Sequence, residues 1–148
     1  MHTNRVLGII PARWASTRFP GKPLHLIAGK PLIEHVWDQC KKTHKLDEIL
    51  IATDDTRIEE RAKSFGAKVI MTSDDHVSGT DRIAEAAKKD QNCTHIINIQ
   101  GDEPLLDPSI IDGLVGLFDD PSVSMGTVVS RNIDVNDYIN RNIVGAVV

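Results

Sequence analysis

Apolar residues fall along this chain in short continuous runs, separated by segments in which they recur every three or four positions. Val6-Leu7-Gly8-Ile9-Ile10 is the first run, bounded by a proline, and reads as a buried strand. Leu32, Ile33, Val36, Trp37 and Cys40 then recur at helical spacing behind Pro31, a residue suited to a first turn. Glu48 to Thr53 predicts a second strand ending in Asp54-Asp55, and Ile58, Ala62 and Phe65 predict a helix that Gly66 stops. Lys68 to Met71 reads as a short third strand, and a polar stretch from Thr72 to Thr80 leads to a helix over Asp81 to Lys89. His95 to Gln100 is a fourth, strongly apolar strand. A helix carrying Ile110, Ile111, Leu114, Val115 and Phe118 opens at Pro108, with Asp107 placed to cap it. Met125 to Val129 and Val144 to Val148 read as two further strands. This alternation predicts an α/β fold: a three-layer, doubly wound, mostly parallel sheet with helices on both faces. No repeat, low-complexity tract or linker divides residues 1–148, so one domain is expected. Its last apolar run, Ile143 to Val148, carries no stop signal, as expected of a domain truncated at its C-terminus.

Composition narrows the chemistry. The chain has 148 residues, 41% of them hydrophobic, enough for a core of its own. A formal charge of -4 provides no basic footprint for nucleic acid. No apolar run approaches the length needed to cross a membrane and no signal peptide precedes Val6, so a soluble, cytoplasmic protein is expected. Cys40 and Cys93 fit no metal spacing and read as reduced, partly buried thiols.

The polar residues with chemical potential all follow predicted strands. In open α/β sheets ligands sit outside the carboxyl ends of the strands, so these groups face one crevice. The first strand leads to a loop bearing Arg13, Arg18 and Lys22 with Ser16, Thr17 and Gly21, a composition suited to a polyphosphate. The second delivers Asp54 and Asp55, which read either as nucleotide contacts or, more simply, as caps for the next helix. The third leads to Ser78-Gly79-Thr80-Asp81-Arg82. Backbone N–H groups and hydroxyls there suit a nucleotide, while Thr80 by itself suits an ordinary cap. Arg82 is either a solvated helix charge or a ligand contact. The fourth strand delivers Gln100-Gly101-Asp102-Glu103-Pro104. Those five residues suit a turn, but opposite a cationic loop Asp102 reads better as a carboxylate for magnesium, and Glu103 as an organiser of the loop. The six histidines form no ligand set, and His76 reads as ordering its own loop.

Taken together, Ile9 to Leu24 (Ile-Ile-Pro-Ala-Arg-Trp-Ala-Ser-Thr-Arg-Phe-Pro-Gly-Lys-Pro-Leu), Ile-Ala-Thr-Asp-Asp, Asp-His-Val-Ser-Gly-Thr-Asp-Arg-Ile-Ala-Glu and Asn-Ile-Gln-Gly-Asp-Glu-Pro strongly resemble the 3-deoxy-manno-octulosonate (Kdo) cytidylyltransferases. The resemblance runs from Val6 to the end. It implies a nucleotide-diphospho-sugar transferase-like, Rossmann-type fold and the magnesium-dependent reaction of CTP with Kdo, giving CMP-Kdo and pyrophosphate for lipopolysaccharide assembly. By position it implies that Arg13 and Lys22 bind the triphosphate and that Ser78, Gly79 and Arg82 hold the cytidine. Asp102 would ligate magnesium, and Arg18 and Gln100 would lie toward the sugar acid. Members of the family continue past Val148, where much of the sugar pocket, a second metal-binding aspartate and most of a homodimer interface lie. Asn140-Arg141-Asn142 resembles the family's Asn-Pro-Asn with arginine for proline, and Gly145 stands where lysine is common. Two alternatives stay open at this level: a non-catalytic nucleotide-binding fragment, or a cytidylyltransferase for an amino analogue of Kdo or a sialic acid.

Overall fold

The computed structural model describes residues 4–130, 134 and 136. A parallel sheet is built from β1 (Val6–Ala12), β4 (Glu48–Thr53), β5 (Lys68–Met71) and β6 (His95–Asn98), in the order β5-β4-β1-β6. Between β1 and β4 lie a two-stranded hairpin, β2 (Leu26–Ile27) and β3 (Lys30–Pro31), and helix α1 (Leu32–Cys40). Helix α2 (Thr56–Ser64) joins β4 to β5, α3 (Gly79–Lys89) joins β5 to β6, and α4 (Pro108–Gly116) follows β6.

Alternation along β1 explains the layers. Val6, Ile10 and Ala12 point to a core shared with Ile33, Val36 and Cys40 of α1, Ile58 and Ala62 of α2, and Ile111 and Val115 of α4. Leu7 and Ile9 point to the other face, where Ile83 and Ala86 of α3 cover them together with Leu50 and Ala52 of β4. A strand buried on both faces must be apolar throughout, as β1 is. The α/β architecture expected from the sequence is therefore present, with three helices on one face and one on the other.

Most elements stand where the pattern put them, and the differences have local causes. Helix α3 starts at Gly79, two residues earlier than expected, because Ser78 caps it: its Oγ accepts from the Asp81 N–H at 3.1 Å. Strand β6 ends at Asn98 rather than Gln100, although the Ile99 N–H still donates to the Ile9 carbonyl at 3.0 Å. Pro31 closes β3 and precedes α1 instead of occupying its first turn. The hairpin has no periodic signature in two-residue strands. It turns on Ala28 and Gly29, both at positive φ (50° and 79°), as a two-residue hairpin turn with the right twist demands. The expected strand over Met125 to Val129 is absent. Among the described residues they pair with no strand, and Met125, Val128 and Val129 are exposed; apolar residues need a sheet edge to become a strand, and no described strand receives them. The expected strand over Val144 to Val148, and the Asn140 to Asn142 segment with Gly145, lie outside the described residues.

Strand order reverses at β1: the chain leaves it toward β4 and β5, then returns to its other side at β6. The crevice above the carboxyl ends of β1 and β6 is thus the place where such sheets bind ligands.

Candidate active site

Pro11 lies inside β1, in the middle of the sheet, where a missing N–H ordinarily costs a ladder bond. Here it costs none. Ile9 turns its carbonyl toward β6, and Pro11, two residues on, turns the same way, past the last residue of that strand. Two glycines use the space. A Cβ on Gly101 would stand 3.1 Å from the Pro11 carbonyl oxygen, and one on Gly79 would stand 3.3 Å from the Pro11 ring. Without side chains, the loop after β6 and the N-terminus of α3 both close on Pro11 from either side.

The loop after β1 is shaped by its own polar groups. The Gly21 N–H donates to the Trp14 carbonyl at 3.0 Å, and the Phe19 N–H donates to Ser16 Oγ at 3.2 Å. Gly21 sits at φ +69°, a left-handed conformation that glycine adopts without strain, and a short 3-10 turn from Lys22 to Leu24 follows. Lys22 Nζ then reaches across the crevice to Asp102 Oδ2 at 2.9 Å, both side chains being about half exposed. Arg13 and Arg18 are exposed and enter no ion pair among the described residues.

These pieces enclose a cleft of about 360 Å³. All eight residues singled out from the sequence line it: Arg13, Arg18, Lys22, Ser78, Gly79, Arg82, Gln100 and Asp102. His76 and Val77 complete its wall, with Pro11 and Ala12 at its base. A second, more open depression of about 640 Å³ lies by the amino ends of β4 and β5, and its Lys63, Lys68 and Lys89 are each paired with glutamates.

Arg82 is not a solvated helix charge. Its side chain is 3% exposed, and it donates to Asp54 Oδ2 at 2.8 Å, to the Ser73 carbonyl at 3.2 Å and to Thr72 Oγ1. Asp54 therefore neither caps a helix nor reaches into the cleft; it neutralises a buried guanidinium. Asp55 takes the capping role expected of it, accepting from the Arg57 N–H at 2.9 Å, and Arg57 holds its carboxyl below the usual range. His76 orders its loop through Glu85, Nε2 lying 2.5 Å from Oε2. Glu85 also accepts from the Ser73 N–H and from Lys89, and these donors, Lys89 foremost, lower its pKa to about 2. Gln100 keeps its side chain exposed, bonded to Asn98 Oδ1 at 2.8 Å. Glu85, Trp14 and Arg57 were not identified from the sequence. Glu85 sits one turn after Arg82, the only sequence clue that the same helix face holds the preceding loop.

The donor set also bears on a metal. Among the described residues no three histidine, cysteine or acidic side chains gather into a cage. What the cleft offers is one half-exposed carboxylate, Asp102, beside cations suited to phosphate. Magnesium fits that set, because it keeps several waters and is held by one or two carboxylates plus substrate phosphates.

The cytidylyltransferase family profile matches residues 7–144. The chain is 48% identical over 147 residues to the 3-deoxy-manno-octulosonate cytidylyltransferase of Myxococcus xanthus, covering 99% of this chain and 59% of that protein. It is 46% identical over 143 residues to the same-named protein of Geobacter sulfurreducens, covering 96% and 57%. A solved CMP:2-keto-3-deoxy-manno-octonic acid synthetase complexed with CTP aligns at a TM-score of 0.78 and 44% identity, over 81% of this chain and 50% of that one. The chain thus spans less than two thirds of the length of these relatives.

Proposed function

The chain belongs to the cytidylyltransferase family, and from that premise we propose that the whole protein transfers CMP from CTP to the sugar acid Kdo, releasing pyrophosphate. One observation carries the reading. Four cations, a helix N-terminus and an exposed carboxylate, delivered by three separate connections, meet in one cleft at the switch point of the sheet.

The anomeric hydroxyl of the sugar attacks the α-phosphorus in line and gives up its proton to solvent as the P–O bond forms, and the bond from the α-phosphorus to the bridging oxygen breaks with its electrons leaving on pyrophosphate. Such a transfer needs positioning and charge neutralisation more than covalent help. Arg13 offers a forked donor to phosphate oxygens, and Lys22 a mobile point charge for the outer phosphates. Ser78 and Gly79, at the start of α3, set backbone N–H groups toward the nucleotide. Arg82 supports the wall through Asp54 and Thr72 while bordering the cytidine side. Arg18 and Gln100, both exposed at the rim, face the sugar acid. Asp102 would hold magnesium, which when bound neutralises charge on the phosphoryl oxygens. We further propose that the product serves lipopolysaccharide assembly, that the protein is cytoplasmic and that it works as a homodimer.

Pyrophosphate release from CTP, Kdo and magnesium by the whole protein tests the reaction. Lys22→Ala should weaken CTP far more than CMP, which lacks the outer phosphates. Absence of release with Kdo, alongside robust turnover of another sugar acid, refutes the substrate; equal losses for CTP and CMP refute the role of Lys22.

A further inference from the structure

The loop from Arg13 to Lys22 carries three cations, and no helix or strand holds it before the 3-10 turn that begins at Lys22. Two short bonds, from the Phe19 N–H to Ser16 Oγ and from the Lys22 N–H to the Phe19 carbonyl, tighten its far half, and the bond from the Gly21 N–H to the Trp14 carbonyl closes the span. Arg13 immediately precedes one clasped residue and Lys22 immediately follows the other. The backbone that carries two cations of the cleft is therefore drawn together where Trp14 and Gly21 meet, while Lys22 Nζ is tied to Asp102. A Cβ on Gly21 would stand 2.8 Å from the Trp14 ring, so the ring and the Gly21 backbone are in direct contact.

What holds the ring lies in another element. The Arg57 guanidinium, on the first turn of α2, is stacked over Trp14 at 3.4 Å from its centroid. Arg57 is itself fixed by two bonds to Asp55, Nε to Oδ1 at 3.0 Å and Nη2 to Oδ2 at 2.6 Å, and Asp55 caps the helix. A guanidinium spread by a carboxylate fork lies flat, the geometry that stacks on an aromatic face. Trp14 also packs against the large core, so the stack joins the loop to the sheet and to α2. Neither Trp14 nor Arg57 lines the cleft.

We infer that Trp14 and Arg57 are positioning residues for the triphosphate: their stack sets the spacing of Arg13 and Lys22 without touching the ligand. This rests on the proposed nucleotide chemistry of the same cleft. Displacing a positioned group by about an ångström costs up to about a hundredfold in rate. The whole protein is assayed as Arg57→Gln, Trp14→Leu, Trp14→Phe and the Arg57→Gln/Trp14→Leu pair. Arg57→Gln, on an exposed helix position, should lower kcat/KM for CTP roughly tenfold with its melting temperature unchanged. Inhibition by CMP should stay within about twofold of the original, because CMP makes no use of the Arg13–Lys22 spacing for outer phosphates. The double variant should lose no more than the worse single one, since both break one stack, and Trp14→Phe should recover most of the activity. Losses that add, equal weakening of CMP and CTP, or an Arg57→Gln protein with unchanged kcat/KM each overturn the inference. Absence of any CTP turnover in the unsubstituted protein would instead overturn the reading on which it rests.

Discussion

Replacing Asp54 by alanine removes the partner of the most deeply buried charge in the described structure. Arg82 is 3% exposed and Asp54 13%, with 2.8 Å between their charged atoms. At an effective dielectric of about 20 the gross attraction at that separation is about 6 kcal/mol, and stranding one member of a buried pair costs about 3–5 kcal/mol. Two acceptors remain to the guanidinium, Thr72 Oγ1 and the Ser73 carbonyl, so the lower end applies, about 3 kcal/mol. For a chain of this size that corresponds to a fall in Tm of roughly 6–12 °C. Thermal unfolding followed by circular dichroism at neutral pH measures it. Asp54→Ala/Arg82→Met, which removes both charges, should recover much of the loss, because apolar replacements of buried pairs are often neutral. A Tm for Asp54→Ala within about 2 °C of the original would refute the reasoning and return Arg82 to solvent or ligand.

Three further outcomes are expected. Asp102→Asn, which preserves volume and hydrogen bonding but removes charge, should cost about a hundredfold to a thousandfold in magnesium-dependent turnover; a loss under about threefold in a pyrophosphate-release assay would leave Asp102 as a turn residue. Glu85, lowered from 4.5 to about 2, binds fewer protons folded than unfolded, so the stability it contributes is full above pH 4.5 and is lost as pH falls toward 2. Glu85→Gln should flatten that acid limb in melting curves recorded across pH, and an unchanged limb contradicts the assignment. Burial pushes the Cys40 thiol up to about 12, so a thiol-reactive chromogenic disulfide should label Cys93 in the native protein and Cys40 only on unfolding; equal rates for both thiols contradict the buried placement.

Periodicity alone determined the architecture. Val6 to Ile10, Glu48 to Thr53 and Lys68 to Met71 are continuous apolar or half-apolar runs between helical patterns, and in that alternation the chain has few ways to bury them except a parallel sheet. It also put the loops that bear the eight candidate residues at one end of the sheet, although Asp54 and Asp55, equally just past a parallel strand, turn instead to a buried arginine and a helix cap. Tertiary structure decided what each charge does there. Arg82 and Asp54 are 28 positions apart, and only the adjacent packing of β4 and α3 shows that they neutralise each other instead of meeting solvent. Trp14 and Arg57 carry no signal of a stack, since an aromatic residue in a loop and an arginine on a helix are each unremarkable until one lies on the other. Met125 to Val129 failed in the opposite way: its composition suits a strand, but a strand exists only where a neighbour supplies the other half of its hydrogen bonds. Local pattern reports what a segment is able to bury; only the assembled sheet reports what stands beside it.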